Sequence, residues 1–212
     1  MEITPDRVAP RRRWFRFSLR TLLLVTTLLA CWLGFQVWRW NECDKAIAQL
    51  RSLGGEVSFG TNPAPKWLVA IFGEKPFRRV GVVNLHRLPA TDEHLKLMSW
   101  FPDVETVLIN QSKVTDAGIE NLASKSKLLW LEMRHIDIGD EGLLQLKDLP
   151  SLITLRLNDT RVTYEGVKQI LPRFKKLQEL WINRTQVTPE EVAAIRRDWP
   201  TLQVVYDRQG KK

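Results

Sequence analysis

An apolar phrase returns along this chain every 24 or 25 residues, and no other feature restricts its fold as strongly. Five register points carry it: Val80, Val104, Leu128, Leu152 and Leu177, with a partial sixth at Leu202. From each point the apolar positions are 1, 4 and 6. The triplets are Val80/Val83/Leu85, Val104/Val107/Ile109, Leu128/Leu131/Met133, Leu152/Leu155/Leu157 and Leu177/Leu180/Ile182. A period of this length defines a stacked array, because one such unit is too small to bury its own apolar side chains.

Inside each unit, positions 4 and 6 alternate with polar or variable residues, as in a short strand with one face turned inward. Position 9 holds Ser112, Thr160 and Thr185. A small hydroxyl there can bond the turning backbone, whereas Leu88 and Ile136 leave two turns in need of another partner. Position 11 is apolar again: Ala90, Val114, Ile138, Val162 and Val187. A helix start follows, at Thr91-Asp92, Thr115-Asp116, Gly139-Asp140, Thr163-Tyr164 and Thr188-Pro189. Threonine at the N-cap with acids in the first turn predicts self-capped helices, most clearly at Thr188-Pro189-Glu190-Glu191. The pairs Leu95/Met98, Ile119/Leu122, Leu143/Leu146, Val167/Ile170 and Val192/Ile195 face inward, and Pro102, Pro150, Pro172 and Pro200 end several helices.

The form L-x-x-L-x-L-x-x-T-x-V-T-D-x-G-L resembles leucine-rich repeats of the cysteine-containing type, over about residues 80–207. Ser or Thr replaces the usual Cys or Asn of the turn. The run Arg16-Phe17-Ser18-Leu19-Arg20-Thr21-Leu22-Leu23 also resembles membrane-anchored leucine-rich-repeat proteins of planctomycete bacteria. The resemblance implies an α/β fold: a short solenoid with parallel strands on the concave face and helices on the convex face.

Before the repeats, Thr21–Trp38 is an uncharged run of 18 residues. As a helix it spans roughly 27 Å, near the hydrocarbon thickness of a bilayer. Arg11, Arg12, Arg13, Arg16 and Arg20 precede it, while Arg39, Glu42, Asp44 and Lys45 nearly cancel after it. The positive-inside rule then keeps the N-terminus in the cytoplasm and sends the repeats to the periplasmic or extracytoplasmic side. Trp14, Phe15, Phe17, Trp38 and Trp40 suit the two interfaces. The alternatives are two cleaved forms, a signal peptide or a lipoprotein processed at Cys31. No A-x-A site follows, and Trp32, Leu33 and Phe35 continue the apolar run beyond Cys31.

The chain therefore divides into a basic tail (1–17), a transmembrane anchor (18–40) that meets membrane lipid, an N-terminal cap and linker (41–79), the repeats (80–207) and a short tail (208–212). In the cap, Ala46, Ile47, Leu50 and Leu53 have helical spacing ended by Gly54-Gly55; Glu56–Phe59 reads as a strand; Trp67–Phe72 reads as a short helix stopped at Gly73.

Charge and chemistry narrow the function. Of the net charge of +8, residues 1–40 contribute +5, from seven arginines against Glu2 and Asp6; the remainder carries +3. No basic stripe lies on the repeats, so nucleic acid is not the expected partner. Cys31 and Cys43 provide neither a zinc spacing nor a disulfide framework for repeats that contain no cysteine. His86, His94 and His135 lack ligand spacing, no glycine-rich phosphate loop occurs, and no nucleophile has a base. We expect no catalysis, no cofactor and no metal.

Strand positions 3, 5 and 7 point to solvent in this scheme. Position 3 brings out Trp130 and Val204; position 5 brings out Glu132, Arg156, Trp181 and Tyr206; position 7 brings out Arg134. Trp130, Arg134, Arg156, Trp181 and Tyr206 have the composition of an interaction hot spot and form the expected partner-binding set. The competing reading is that Trp181 packs on Arg156 while Glu132, Arg134 and Arg156 pair across neighbouring strands. Two functions follow: a single-pass membrane protein presenting a surface to a protein partner, or a structural, self-assembling envelope module without a dedicated ligand.

Overall fold

The computed structural model describes residues 19–61, 64–147 and 149–207. The basic tail and the closing tail expected from the sequence lie outside them. The chain divides into two compact units, Met1–Arg39 and Trp40–Lys212. The boundary falls within the first helix, α1 (Leu19–Ser52).

In the first unit the described part is apolar helix with its side chains uncovered. Leu22, Leu24, Leu28, Trp32 and Phe35 are all exposed, and the helix is long and apolar enough to cross a membrane. The hydroxyls of Thr26 and Thr27 donate to the carbonyls of Leu22 and Leu23, so neither needs water.

In the second unit, seven strands among the described residues form one sheet in chain order. They are β1 (Glu56–Phe59), β2 (Val80–Asn84), β3 (Thr106–Leu108), β4 (Trp130–Glu132), β5 (Thr154–Arg156), β6 (Glu179–Trp181) and β7 (Gln203–Val205). β1 pairs antiparallel with β2, and every later pair is parallel. Between the strands run α2 (Lys66–Phe72), α3 (Asp92–Lys96), α4 (Asp116–Ile119), α5 (Asp140–Gln145), α6 (Tyr164–Ile170) and α7 (Pro189–Asp198). The α/β class with repeating β-α units behind a long apolar helix is thus the observed architecture. The helices of the repeats are shorter than the apolar spacing suggests: α3, α4 and α6 each pass into a 3₁₀ turn, and in α6 the change occurs at Leu171-Pro172.

The apolar phrase is the core. Positions 1, 4, 6 and 11 are buried in every full unit except at Leu177, which is half-buried and packed on the core. All five helix pairs are buried with them. Ala46, Ile47 and Leu50 of α1 and Val57 of β1 join the same cluster, and β1 covers the free edge of β2. The end of α1 is a Schellman turn: Gly55 N–H donates to Leu50 and Gly54 N–H to Arg51, with Gly54 at φ 97°.

The hydroxyls of position 9 act as the spacing suggests. Ser112, Thr160 and Thr185 each donate to the position-6 carbonyl three residues back, at 2.7–2.9 Å. The helix starts differ. Thr188 caps its own helix, with Glu191 closing a capping box. Thr115 and Thr163 do not cap theirs. Their N–H and hydroxyl groups both donate to the aspartate of the preceding unit: Thr115 to Asp92 (2.8 and 2.7 Å) and Thr163 to Asp140 (2.8 and 2.6 Å). Gly139, lacking a hydroxyl, gives Asp116 its N–H alone. The same aspartates fill the space beside Gly118, Gly142 and Gly166, where a Cβ would collide with the Oδ1 of Asp92, Asp116 and Asp140. The T-D-x-G motif is therefore an inter-unit contact.

Between α4 and β4, Lys125 is only 3% exposed and its Nζ donates to the Met98 carbonyl of the previous unit at 2.7 Å. Burial pushes its pKa below the ordinary value of 10.5.

Two predictions follow from these contacts. Gly142→Ala should cost about 1–3 kcal/mol, as over-packing does, whereas Gly139→Thr, in extended backbone with Asp116 Oδ2 3.8 Å from its Cβ position, should add about 1 kcal/mol by supplying the missing hydroxyl. Urea titrations of both variants measure this. For Lys125, the folded chain releases its proton before the unfolded chain does. Stability of the wild type relative to Lys125→Met should therefore rise as pH climbs from neutrality toward 10.5, measured by denaturation at a series of pH values.

Candidate functional site

The face of the sheet opposite the apolar core carries strand positions 3 and 5, and its centre is a layered polar and aromatic cluster. Parallel register places Thr106, Trp130, Thr154 and Glu179 in one row and Leu108, Glu132, Arg156 and Trp181 in the next. From β5, the guanidinium of Arg156 lies over the Trp130 ring at 4.6 Å and over the Trp181 ring at 4.5 Å. One cation thus lies near two indoles from the flanking strands β4 and β6, a contact that a weakly hydrated, planar guanidinium favours.

Glu132 holds the base of this cluster. It is 5% exposed, and its carboxylate accepts from Asn110 Nδ2 (3.0 Å) and Trp130 Nε1 (3.3 Å). It pairs with Arg134 at 2.5 Å and Arg156 at 3.5 Å. Trp181 Nε1 turns to Glu179 at 3.4 Å. Three of the five residues expected to bind a partner, Trp130, Arg134 and Arg156, therefore meet at one carboxylate, and Trp181 joins them through Arg156. They pack on and pair with each other, as the competing reading expects, on the face of the sheet opposite the core.

Tyr206 is the exception. Strand pairs step by 24 residues from β2 to β5, by 25 from β5 to β6, and by 24 again from β6 to β7. The last unit starts its turn at Leu202 but has one residue fewer before its strand, so Val205 stands opposite Trp181. Val204, expected at the surface, is 5% exposed, and Tyr206 packs half-buried against the core beyond the strand. The placement of both on the solvent-facing rows is corrected by this one-residue slip.

Several other positions expected to face solvent are covered. Asn110, Thr154 and Asn158 are buried. The asparagines stitch the units together at position 7: Asn110 Oδ1 accepts from Arg134 N–H, Asn158 from Asn183 N–H and Asn183 from Asp207 N–H. At position 8, Arg87, Gln111, His135, Asp159 and Arg184 all have left-handed backbone, with φ between 52° and 60°. No glycine marks this column, so a turn-residue reading misses it. Its side chains form a polar rim: Asp159 binds Arg184 at 2.5 Å and His135 at 3.3 Å, and Arg87 binds Gln111. The Asp159 carboxylate raises the pKa of Arg184.

Between this rim and Trp181 lies a depression of about 270 Å³, bordered also by Arg134, Asn158 and Asn183. Beside it, Arg134 and Arg156 each keep a buried Nε with no hydrogen-bond partner. An orphaned buried donor costs about 1–3 kcal/mol unless an acceptor reaches it. No cluster of three metal-ligating side chains occurs among the described residues. The chemistry on offer is stacking and hydrogen-bond donation.

The fold and this face define a class, a stack of parallel β-α units with an aromatic and arginine cluster on its open side. No protein-family model matches the chain, and no curated protein matches it.

The stack also has an energetic signature. Arg156→Ala should lower stability by about 1–2 kcal/mol through the two lost ring contacts and should change the near-ultraviolet dichroism of the indoles, as chemical denaturation and circular dichroism would record.

Proposed function

We propose that this chain is a leucine-rich repeat protein, anchored in a membrane by α1, that offers the open face of its sheet to a protein partner. The observation that carries the reading is Arg156 between Trp130 and Trp181 on the face of the sheet opposite the core. Tryptophan and arginine dominate binding hot spots because they combine large apolar area with directed donors at small entropic loss. The internal stack holds these side chains in place before any partner arrives, which lowers the ordering cost of association.

The leucine-rich assignment is supported by the 24-residue phrase, the parallel register and the hydroxyl at position 9. Anchoring is supported by the exposed apolar surface of α1 and by the arginines that precede it in sequence. The same arginines favour a cytoplasmic N-terminus with the repeats across the membrane, as a single-pass protein.

A photo-crosslinking residue at position 181, in the full chain in its native membranes, tests the proposal. We expect an adduct with a distinct protein, none from the helix side at Gln169, and a yield about tenfold lower in Arg156→Ala, the loss expected of a hot-spot truncation. Adducts only between copies of the chain would favour the self-assembling module instead.

A further inference from the structure

Outside α1, the large apolar side chains exposed among the described residues are Phe59, Trp67, Ile71 and Leu129. Three of these four lie in the short stretch 59–71. Trp67 is 63% and Ile71 67% exposed, against 37% for Phe59.

The two most exposed belong to α2 and share one face. Trp67, Ala70 and Ile71 are exposed together, while Leu68 and Val69, on the other side of the helix, are half-buried. A soluble domain gains nothing by placing an indole and an isoleucine four residues apart in water. Residues 64–79 hold four basic side chains, Lys66, Lys75, Arg78 and Arg79, against the single acid Glu74. Arg78 pairs with Glu74 and also lies over Phe59 at 5.0 Å, and Arg79 pairs with Asp103.

We infer that α2 is a second membrane contact, lying in the headgroup region of an anionic bilayer with Trp67 and Ile71 directed into the acyl boundary. Its pattern fits that occupant better than a protein groove. A tryptophan with an aliphatic neighbour suits a layer that is apolar on one side and wet on the other, and a cationic surround suits anionic headgroups. The inference rests on the anchoring reading. A helix of seven residues buries too little area to hold a protein on a membrane alone, and residues 41–65 separate it from Trp40, where the anchor ends, so a tethered chain meets lipid at high effective concentration.

The test uses the full chain in nanodiscs of phosphatidylcholine and phosphatidylglycerol, with and without brominated acyl chains. One sample carries bimane at position 70 through Ala70→Cys in a Cys31→Ser, Cys43→Ser background. A second carries it on the native Cys31, with Cys43→Ser, and reports the anchor. Quenching by brominated lipid at both positions is the expected result, with most of the quenching at position 70 lost in Lys66→Glu, Lys75→Glu and none lost at position 31. Quenching at position 31 alone overturns the inference and leaves the anchor standing. Protection of position 70 from aqueous iodide without quenching by lipid also overturns it, since protein then covers the helix. Quenching at neither position overturns both readings.

Discussion

The stagger between one β-α unit and the next is the constraint on which everything else in the repeats depends, and the aspartate at each helix start fixes it. Asp92, Asp116 and Asp140 reach forward to the first amide of the following helix, and the glycine two residues after each of the last two, with Gly166 in the next unit, leaves room for the carboxylate of the unit before. The contact satisfies an orphan helix donor and sets the distance between layers in one stroke. Its ends explain the exceptions. Thr91 has no unit with such an aspartate before it, and its N–H is met by His94 Nδ1. Tyr164 stands where the next aspartate would, so Thr188 receives no forward contact and carries its own box with Glu191.

Much of this was legible in the sequence, and the boundary of what was legible is physical. Periodic burial leaves a periodic apolar pattern, so positions 1, 4, 6 and 11 announce the core. The position-9 hydroxyl was legible because its partner lies three residues away. The aspartate's partner lies 23 residues away. Read locally, Thr115 and Thr163 look like caps for their own helices; only the stack reveals that their hydroxyls are already committed. Tyr206 was misplaced for the opposite reason. Leu202 continues the 25-residue step of the turn, while the strand beside it returns to 24, and composition gives no sign of a one-residue slip that reverses which face a side chain occupies.

The candidate site was half legible. Parity alone put Trp130, Arg156 and Trp181 on the open face, and they are there. Parity does not say that Glu132 and Thr154, on the same rows, disappear beneath them. Side chains as large as tryptophan and arginine on adjacent parallel strands cover smaller neighbours, and a covered carboxylate then requires charged partners. Glu132 finds them in Arg134 and Arg156, so the cluster organises itself around the one acid that it buries.

The left-handed column at position 8 shows how far the array, rather than the local sequence, decides the backbone. Arginine and glutamine are poor occupants of positive φ, each at a cost of order 1 kcal/mol, while histidine and aspartate tolerate it better. In this conformation the N–H groups of Arg87, Gln111, His135 and Asp159 reach the carbonyls of Asn110, Arg134, Asn158 and Asn183 in the next unit, at 2.9–3.0 Å. Those bonds extend each parallel ladder past its three paired residues, and they exist only when the next unit is in place. A unit alone would keep the strain and lose the bond. The turns are therefore stable as a set, and the polar rim that they carry beside Trp181 is positioned by neighbours on both sides.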